Sequence, residues 1–248
     1  MDEYAYGAPL VASAFYLFAG VRLLGLHHRT GERPELLIGI YFALAGLYYL
    51  AYNIPSLFRI DPWSPRMDWI IEWIYIIGIF PYLFFIRAVF RPNETWSSAL
   101  VVSCSLFLLV GTAMGGLDGE IVYSLDNPWF IVQWVGYSTP CAWICWEAAL
   151  ARRGAQKRAR IGLAQPVVVN RYLLLAVFGG FQVLACLSDL SFAHDISDNR
   201  TVSAISNLLL GSTEILSVVV LWFAFFPPSF YEHWITQRAA AARTALED

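Results

Sequence analysis

Seven long apolar runs constrain the fold of this 248-residue chain more than any other feature. Each holds about the 20 residues that an α-helix needs to cross a bilayer. Inside hydrocarbon, helices satisfy all their backbone hydrogen bonds internally, so runs of this length are typical of transmembrane helices. The predicted spans are Gly7 to Leu26, Glu35 to Ile54, Asp68 to Val89, Ser97 to Gly115, Pro128 to Leu150, Val167 to Leu190 and Ser203 to Phe226. The sequence therefore predicts an all-α polytopic membrane protein, a seven-transmembrane helix bundle.

The linkers between the runs are not expected to hold a second folded domain. Only 14% of the residues are charged, against about 25% in soluble domains. The linkers between the runs are short, and Pro55 is expected to close the second span. Residues 1–228 are thus predicted to form one transmembrane domain. The tail 229–248 carries Tyr231, Trp234 and Ile235 near its membrane end, which predicts an interfacial amphipathic helix.

Charge is distributed unevenly between the linkers. Arginine and lysine follow the first, third, fifth and seventh runs, most densely in the predicted loop Arg152 to Arg160. Aspartate and glutamate dominate the opposite side, beginning with Asp2 and Glu3. Because basic residues mark the cytoplasmic side, the N-terminus is predicted outside and the C-terminus in the cytoplasm. The expected location is the cytoplasmic (plasma) membrane, of the bacterial inner-membrane type.

The seventh run carries an ionisable residue, Glu214, near its middle. Asn207, Gly211, Glu214 and Ser217 follow at steps of four, three and three, so they share one helical face. A carboxylate at this depth is costly unless it faces the bundle interior or water. We therefore expect this face to point into the bundle.

Further polar and aromatic residues are expected in the outer half of the membrane, and Glu214 is the deepest carboxylate among them. The predicted ligand-binding residues are Trp69, Glu72, Trp73, Gln133, Gln182, Asp189, Asn207 and Glu214. An acidic pocket with aromatic walls would suit a small cationic ligand, through charge pairing and cation–π contact, or a proton. The structural alternative is that these residues are helix ends, interfacial aromatic belts and interhelical hydrogen bonds.

Several chemistries are disfavoured by the residues that the chain lacks. The four histidines lie outside the spans, which argues against bis-histidine haem and a zinc hydrolase. Cys141 and Cys145 have no further ligands nearby, so no metal site is predicted. No nucleophile elbow, zinc-protease or phosphate-loop motif is present. We expect a protein that is not an enzyme and has no cofactor. The basic run Arg152 to Arg160 is predicted to contact lipid or a cytoplasmic partner, and no nucleic acid.

Two sets of residues carry a resemblance to known membrane proteins. Seven spans, an outside N-terminus and a carboxylate at Glu72 resemble the microbial rhodopsin plan, which holds retinal on a lysine of the seventh helix. Here the only lysine is Lys157, in a predicted cytoplasmic loop, so covalent retinal is disfavoured. Leu26 to Thr30, Pro34 to Gly39 and Phe226 to Pro228 are similar to segments of uncharacterised bacterial seven-helix proteins and sensor input domains. That resemblance implies a sensory role.

The function expected from these patterns is that of a receptor or sensor with an outward-opening acidic and aromatic pocket. One alternative is a small transporter or channel that uses the same carboxylates. Another is a structural subunit of a membrane complex, in which polar groups only lock helices together. The inner halves of the third and seventh runs, Ile76 to Phe85 and Val218 to Phe226, are apolar, which favours the sensor over the transporter.

The predicted orientation can be measured with fusions to alkaline phosphatase, which requires disulfides and is active only outside the cytoplasm. We expect a fusion after Asp126 to be active and a fusion after Gly162 to be inactive. The reverse pattern of activities would contradict the orientation.

Overall fold

The protein is described by a computed structural model that covers residues 2–58, 64–117, 124–193 and 200–247. Within these residues the chain forms eight α-helices, which confirms the all-α prediction. The helices are α1 (Asp2–Thr30), α2 (Arg33–Phe58), α3 (Pro65–Phe90), α4 (Thr95–Leu117), α5 (Pro128–Arg160), α6 (Pro166–Ala193), α7 (Arg200–Phe225) and α8 (Ser229–Glu247).

Helices α1 to α7 form a closed ring in which each helix packs on the next and α7 packs on α1. Helices α1 and α2 run antiparallel, because the contacts move down α2 as they move up α1: Gly46 lies next to Leu17, and Gly39 next to Leu24. Helices α1 and α7 run parallel, since Tyr16 contacts Glu214 and Arg22 contacts Phe226. The bundle therefore has an N-terminal face, where α1 begins, and a C-terminal face, where α1 ends. Helix α3 also contacts α5 across the ring.

Several of these helices are long and apolar enough to cross a membrane. Among the described residues, five pass by length and composition: Leu10–Thr30, Arg33–Pro55, Arg66–Phe90, Thr95–Leu117 and Pro166–Leu190. The end of α7 and the start of α8, bent by 76°, form a sixth candidate when counted together. These helices indicate a membrane protein.

The helix bounds differ from the apolar runs in two informative places. Pro55, expected to close the second span, lies inside α2, which continues to Phe58. Arg152 to Arg160, expected to be a loop, is instead the last part of α5. That prediction was wrong because hydropathy detects only the membrane-spanning part of a helix. Alanine, arginine, glutamine and lysine favour a helix in water as well. Gly162, at a φ of 76°, follows the end of α5.

Small residues allow the helices to approach closely, as is common in membrane bundles. A Cβ atom added at Gly20 would lie 2.7 Å from the backbone of Ala43, on α2. One at Gly111 would lie 2.7 Å from the backbone of Gln133, on α5. These close contacts bring the polar side chains of neighbouring helices within hydrogen-bonding distance.

Helix α8 turns away after Pro227 and Pro228 and packs on α6. The Asn170 amide donates to the Tyr231 hydroxyl at 3.0 Å, and Ile235 is buried. The α6–α8 contact attaches the tail to the C-terminal face. Its placement in a membrane interface stays a prediction.

Two adjacent glycines of α6 allow a matched test of the packing. A Cβ at Gly179 would lie 2.7 Å from the Cys145 nitrogen, whereas one at Gly180 would meet nothing within 4 Å. We expect Gly179→Ala to lower the free energy of unfolding by about 1–3 kcal/mol, through overpacking of α5 against α6. Gly180→Ala should leave it unchanged or raise it by up to about 1 kcal/mol, because alanine favours the helix. Denaturation of the purified protein in detergent measures both, and equal effects would contradict the close contact.

Candidate functional site

Glu214 lies on the face of α7 that points into the bundle. Gly211, Glu214 and Ser217 are all buried, as their spacing predicts. Glu214 is 5% exposed and Ser217 is fully buried. The side chain of Asn207, the fourth member of this face, lies outside the described part of the structure.

Side chains from two other helices hold the Glu214 carboxyl. The Tyr16 hydroxyl of α1 donates a hydrogen bond to it. The Gln182 amide of α6 lies 3.3 Å from the carboxyl and 3.0 Å from the Ser217 hydroxyl, which itself donates to the Glu214 backbone carbonyl at 2.8 Å. Tyr49 of α2 also lies within interaction range of the carboxyl. The side chains that carry or contact the Glu214 carboxyl therefore come from four helices: α1, α2, α6 and α7.

A second buried carboxyl joins α3 to α5. The Gln133 amide donates to Glu72 at 2.7 Å, and both side chains are about 95% buried, with 4% and 5% of their surface exposed. This contact is separate from the Glu214 cluster. Asp189, a third carboxyl, accepts a hydrogen bond from the Tyr137 hydroxyl at 3.1 Å and joins α6 to α5. It lies within electrostatic range of both Glu72 and Glu214.

A chain of tyrosine rings in tilted and edge-to-face contacts runs between two of these carboxyls, Glu214 and Asp189. We call it the tyrosine belt, and its members, in order of contact, are Tyr16, Tyr49, Tyr48, Tyr75 and Tyr137. Their ring centroids are separated in turn by 5.5, 5.3, 4.9 and 6.2 Å. The belt begins at the partner of Glu214 and ends at the partner of Asp189. It runs through α1, α2, α3 and α5, so the three carboxyls and the belt form one polar layer, hereafter the carboxyl layer.

Tyr16, which contacts Glu214 directly, is a member of this layer that sequence reasoning missed. It lies in an apolar run and has no charge or amide, so hydropathy does not separate it from core tyrosines. One signal was present: Ser13 and Tyr16, spaced by three, place two hydroxyls on one face of the first run. Both residues are buried.

The two predicted tryptophans lie beside the carboxyl layer and make different contacts. Trp69 donates from its indole nitrogen to the Thr112 carbonyl at 3.0 Å, which ties α3 to α4. Trp73 is half-buried, and its ring lies 6.0 Å from that of Trp69 in an edge-to-face arrangement. No described contact joins either tryptophan to Glu214.

A packed apolar layer separates the carboxyl layer from the C-terminal face. All seven helices of the ring contribute side chains that are at most 3% exposed: Leu23, Ile38, Phe42, Ile79, Leu83, Phe85, Ile86, Cys104, Ile144, Leu175, Phe178 and Leu221. Glu72 and Arg91 mark the two sides of this layer and lie about 28 Å apart along α3. The buried tyrosines at this level are Tyr41 and Tyr82, whose rings stack at 4.7 Å, and among the described residues no buried charged side chain lies between Glu72 and Glu147.

An ion pair lies between the apolar layer and the C-terminal face. Arg91, at the end of α3, contacts both carboxylate oxygens of Glu147 on α5, at 2.9 and 3.0 Å. Glu147 is 4% exposed. Its hydrogen bond and charge raise the pKa of the Arg91 guanidinium above the ordinary value. Helices α3 and α5 are thus joined at both ends, by Glu72 with Gln133 and by Arg91 with Glu147.

Two grooves lie between neighbouring helices on the side of the bundle. None of the three carboxyls lines either groove. One, of about 390 Å³, lies between α1 and α7. The other, of about 240 Å³, lies between α3 and α4. Among the described residues, no group of three histidine, cysteine, aspartate or glutamate side chains is placed to hold a metal ion. Cys141 and Cys186 are both free thiols, with sulfur atoms 3.8 Å apart.

Comparison with known proteins found no relative of this chain. Models of protein families, curated proteins and solved structures all gave no match. The functional interpretation therefore depends on the geometry of this chain.

The hydrogen bond between Tyr16 and Glu214 can be tested with a pair of tyrosine variants. Tyr16→Phe removes a donor to a buried carboxyl, so we expect a loss of about 1–3 kcal/mol in the free energy of unfolding. Tyr52→Phe, at an exposed position of α2, should change it by less than about 0.5 kcal/mol. Thermal unfolding in detergent compares the two, and equal melting temperatures would show that the bond contributes nothing.

Proposed function

We propose that this chain is a seven-helix membrane protein of the receptor or sensor type, whose input is the protonation state of the carboxyl layer. The N-terminus lies outside and the C-terminus lies in the cytoplasm, so the carboxyl layer is in the outer half of the plasma membrane. The architecture resembles the microbial rhodopsins, but α7 carries no lysine, so this sensor works without covalent retinal.

The observation that carries the proposal is the way Glu214 is held. Its described partners are hydroxyl and amide groups of other helices, and no described cationic side chain contacts it. An ionised carboxylate only accepts hydrogen bonds, whereas a protonated one also donates. A proton added to Glu214 therefore needs an acceptor where Tyr16 and Gln182 now both donate. The Tyr16 hydroxyl can accept as well as donate, so it is the group that would turn to accept this proton, which changes the hydrogen bond between α1 and α7.

Other titratable groups share this environment and belong to the same response. Those within electrostatic range of Glu214 are Tyr16, Tyr41, Tyr49, Cys186 and Asp189. Because Asp189 and Glu214 are both acidic, the charge of one opposes the charge of the other. The layer is expected to take up protons as a coupled unit.

A proton fits this site better than a cationic ligand, because the described side chains around Glu214 enclose it. A change in the hydrogen bonds of Glu214 could be transmitted to the C-terminal face by movement of α5 and α6, which extend from the carboxyl layer to that face. Helix α6 carries Gln182 in its second half and contacts α8 through Asn170 near its start. Helix α5 ends in the basic run Arg152 to Arg160, which is the proposed contact for a cytoplasmic partner.

The transporter alternative is less well supported by the same geometry. Transport needs polar groups on both sides of the carboxyls, and the apolar layer below them is closely packed. A purely structural role predicts that a neutral isostere at position 214 loses the fold, which the experiment below distinguishes.

The decisive variant is Glu214→Gln, which keeps the shape of the side chain and removes its titration. In wild-type protein in lipid nanodiscs we expect a reversible change in tryptophan fluorescence as the pH falls from 8 to 5. Glu214→Gln should abolish the change while helix content by circular dichroism stays the same. Glu32→Gln, the same substitution at an exposed position, should keep it.

Three results would count against the proposal. An unchanged pH response in Glu214→Gln removes this residue as the input. Loss of helix content in that variant favours the structural role. A response to tetramethylammonium at constant pH that depends on Glu214 identifies a cationic ligand in place of the proton.

A further inference from the structure

The groove between α3 and α4 differs from the rest of the membrane-facing surface because an arginine lies at one end of an apolar channel. Its lining residues are Phe84 and Arg87 of α3, and Ser98, Val101, Val102, Ser105 and Leu106 of α4. Phe84, Val102 and Leu106 are exposed, while Val101 is buried and forms the floor. Arg87 and Ser98 lie near the C-terminal face, and Leu106 lies about 12 Å deeper along α4.

Arg87 is a cation whose hydrogen-bonding capacity is mostly unused. Its Nη2 atom donates to the Pro92 carbonyl at a long distance of 3.4 Å. Its Nε atom is shielded from solvent and has no hydrogen-bond partner. Among the described residues, no carboxylate lies within 4 Å of it, because Glu147 pairs with Arg91. A guanidinium at a membrane interface without a carboxylate is matched by a phosphate, which accepts two parallel hydrogen bonds from it.

The apolar part of the groove has the size and character for hydrocarbon. A cavity of about 150 Å³ is enough for one benzene molecule, and this groove holds about 240 Å³. Its walls are valine, leucine and phenylalanine, and two serine hydroxyls stand among them. A ligand that fits both ends has an anionic head next to Arg87 and Ser98 and an alkyl chain that extends toward Leu106.

The groove between α1 and α7 lacks this combination. Its lining is apolar, and the nearest arginine, Arg22, places its guanidinium 5.8 Å from the Trp222 ring and 5.3 Å from the Phe226 ring. That arginine is already engaged with aromatic faces. Of the two grooves, the α3–α4 groove is therefore the one whose arginine is available to a charged head group.

We propose that the α3–α4 groove binds one anionic phospholipid, with the phosphate on Arg87 and one acyl chain along Val101, Val102 and Leu106. The lipid belongs to the leaflet at the C-terminal face. This site is remote from Glu214 and does not depend on the proposed sensing function. It requires only that the bundle lies in a membrane.

Native mass spectrometry of the full chain in detergent tests the site, with phosphatidylglycerol and phosphatidylcholine as probes. We expect wild-type protein to retain one phosphatidylglycerol at lipid concentrations where phosphatidylcholine dissociates. Arg87→Gln should weaken phosphatidylglycerol retention about tenfold, the loss expected for a charge-assisted hydrogen bond. Arg171→Gln is the matched control, because Arg171 is an exposed arginine near the same face, and it should retain the lipid.

A second pair of variants tests the acyl-chain end without removing charge. Ser105→Phe fills the groove and should also weaken retention, whereas Ser103→Phe, at an exposed position of α4 outside the groove, should not. Equal retention by wild type, Arg87→Gln and Ser105→Phe would overturn the proposal. So would equal binding of the two lipids. Displacement of the lipid by millimolar inorganic phosphate, with no effect of Ser105→Phe, would show a simple anion site and would also overturn it.

Discussion

A polar group that loses water without gaining a partner is costly, and in hydrocarbon the cost reaches several kcal/mol. This constraint organises the interior of the bundle. Glu72 is satisfied by Gln133, Glu214 by Tyr16 and Gln182, and Glu147 by Arg91. Each of these contacts joins different helices, so satisfying a side chain also sets how far one helix slides along another. Close approach at glycines such as Gly111 brings the partners within reach.

The three layers of the interior correspond to three parts of the proposed sensor. The carboxyl layer holds the groups whose proton content would change, and the tyrosine belt runs beside them through four helices. The apolar layer would separate them from water and ions at the C-terminal face. The Arg91–Glu147 pair holds α3 and α5 together beyond it. A change in the first layer can therefore reach the C-terminal face only as a movement of helices.

Sequence periodicity predicts the all-α fold because the bilayer leaves few options for a long apolar run. It also singles out Glu214, Glu72 and Gln133, all of which are buried, since a charge or amide in such a run stands out. The pairing of residues was not predictable. Glu72 meets Gln133 and not Glu214, which depends on which helices are neighbours in the ring. Tyr16 was missed because the hydropathy of a tyrosine does not depend on whether its hydroxyl makes a hydrogen bond. The end of α5 was misjudged because a helix in water carries no apolar signal.

The continuation of α5 beyond its apolar part gives the helix the geometry of a lever. From Gln133 in the carboxyl layer to Arg160 at its end, α5 measures about 40 Å. A tilt of about 5° at the first point displaces the last by about 3.5 Å, roughly the diameter of a methyl group. The displaced end is the most basic segment of the chain. In the proposed sensor, a change in hydrogen bonding too small to open a cavity would thus become a larger shift of positive charge at the end of α5, where a partner would bind.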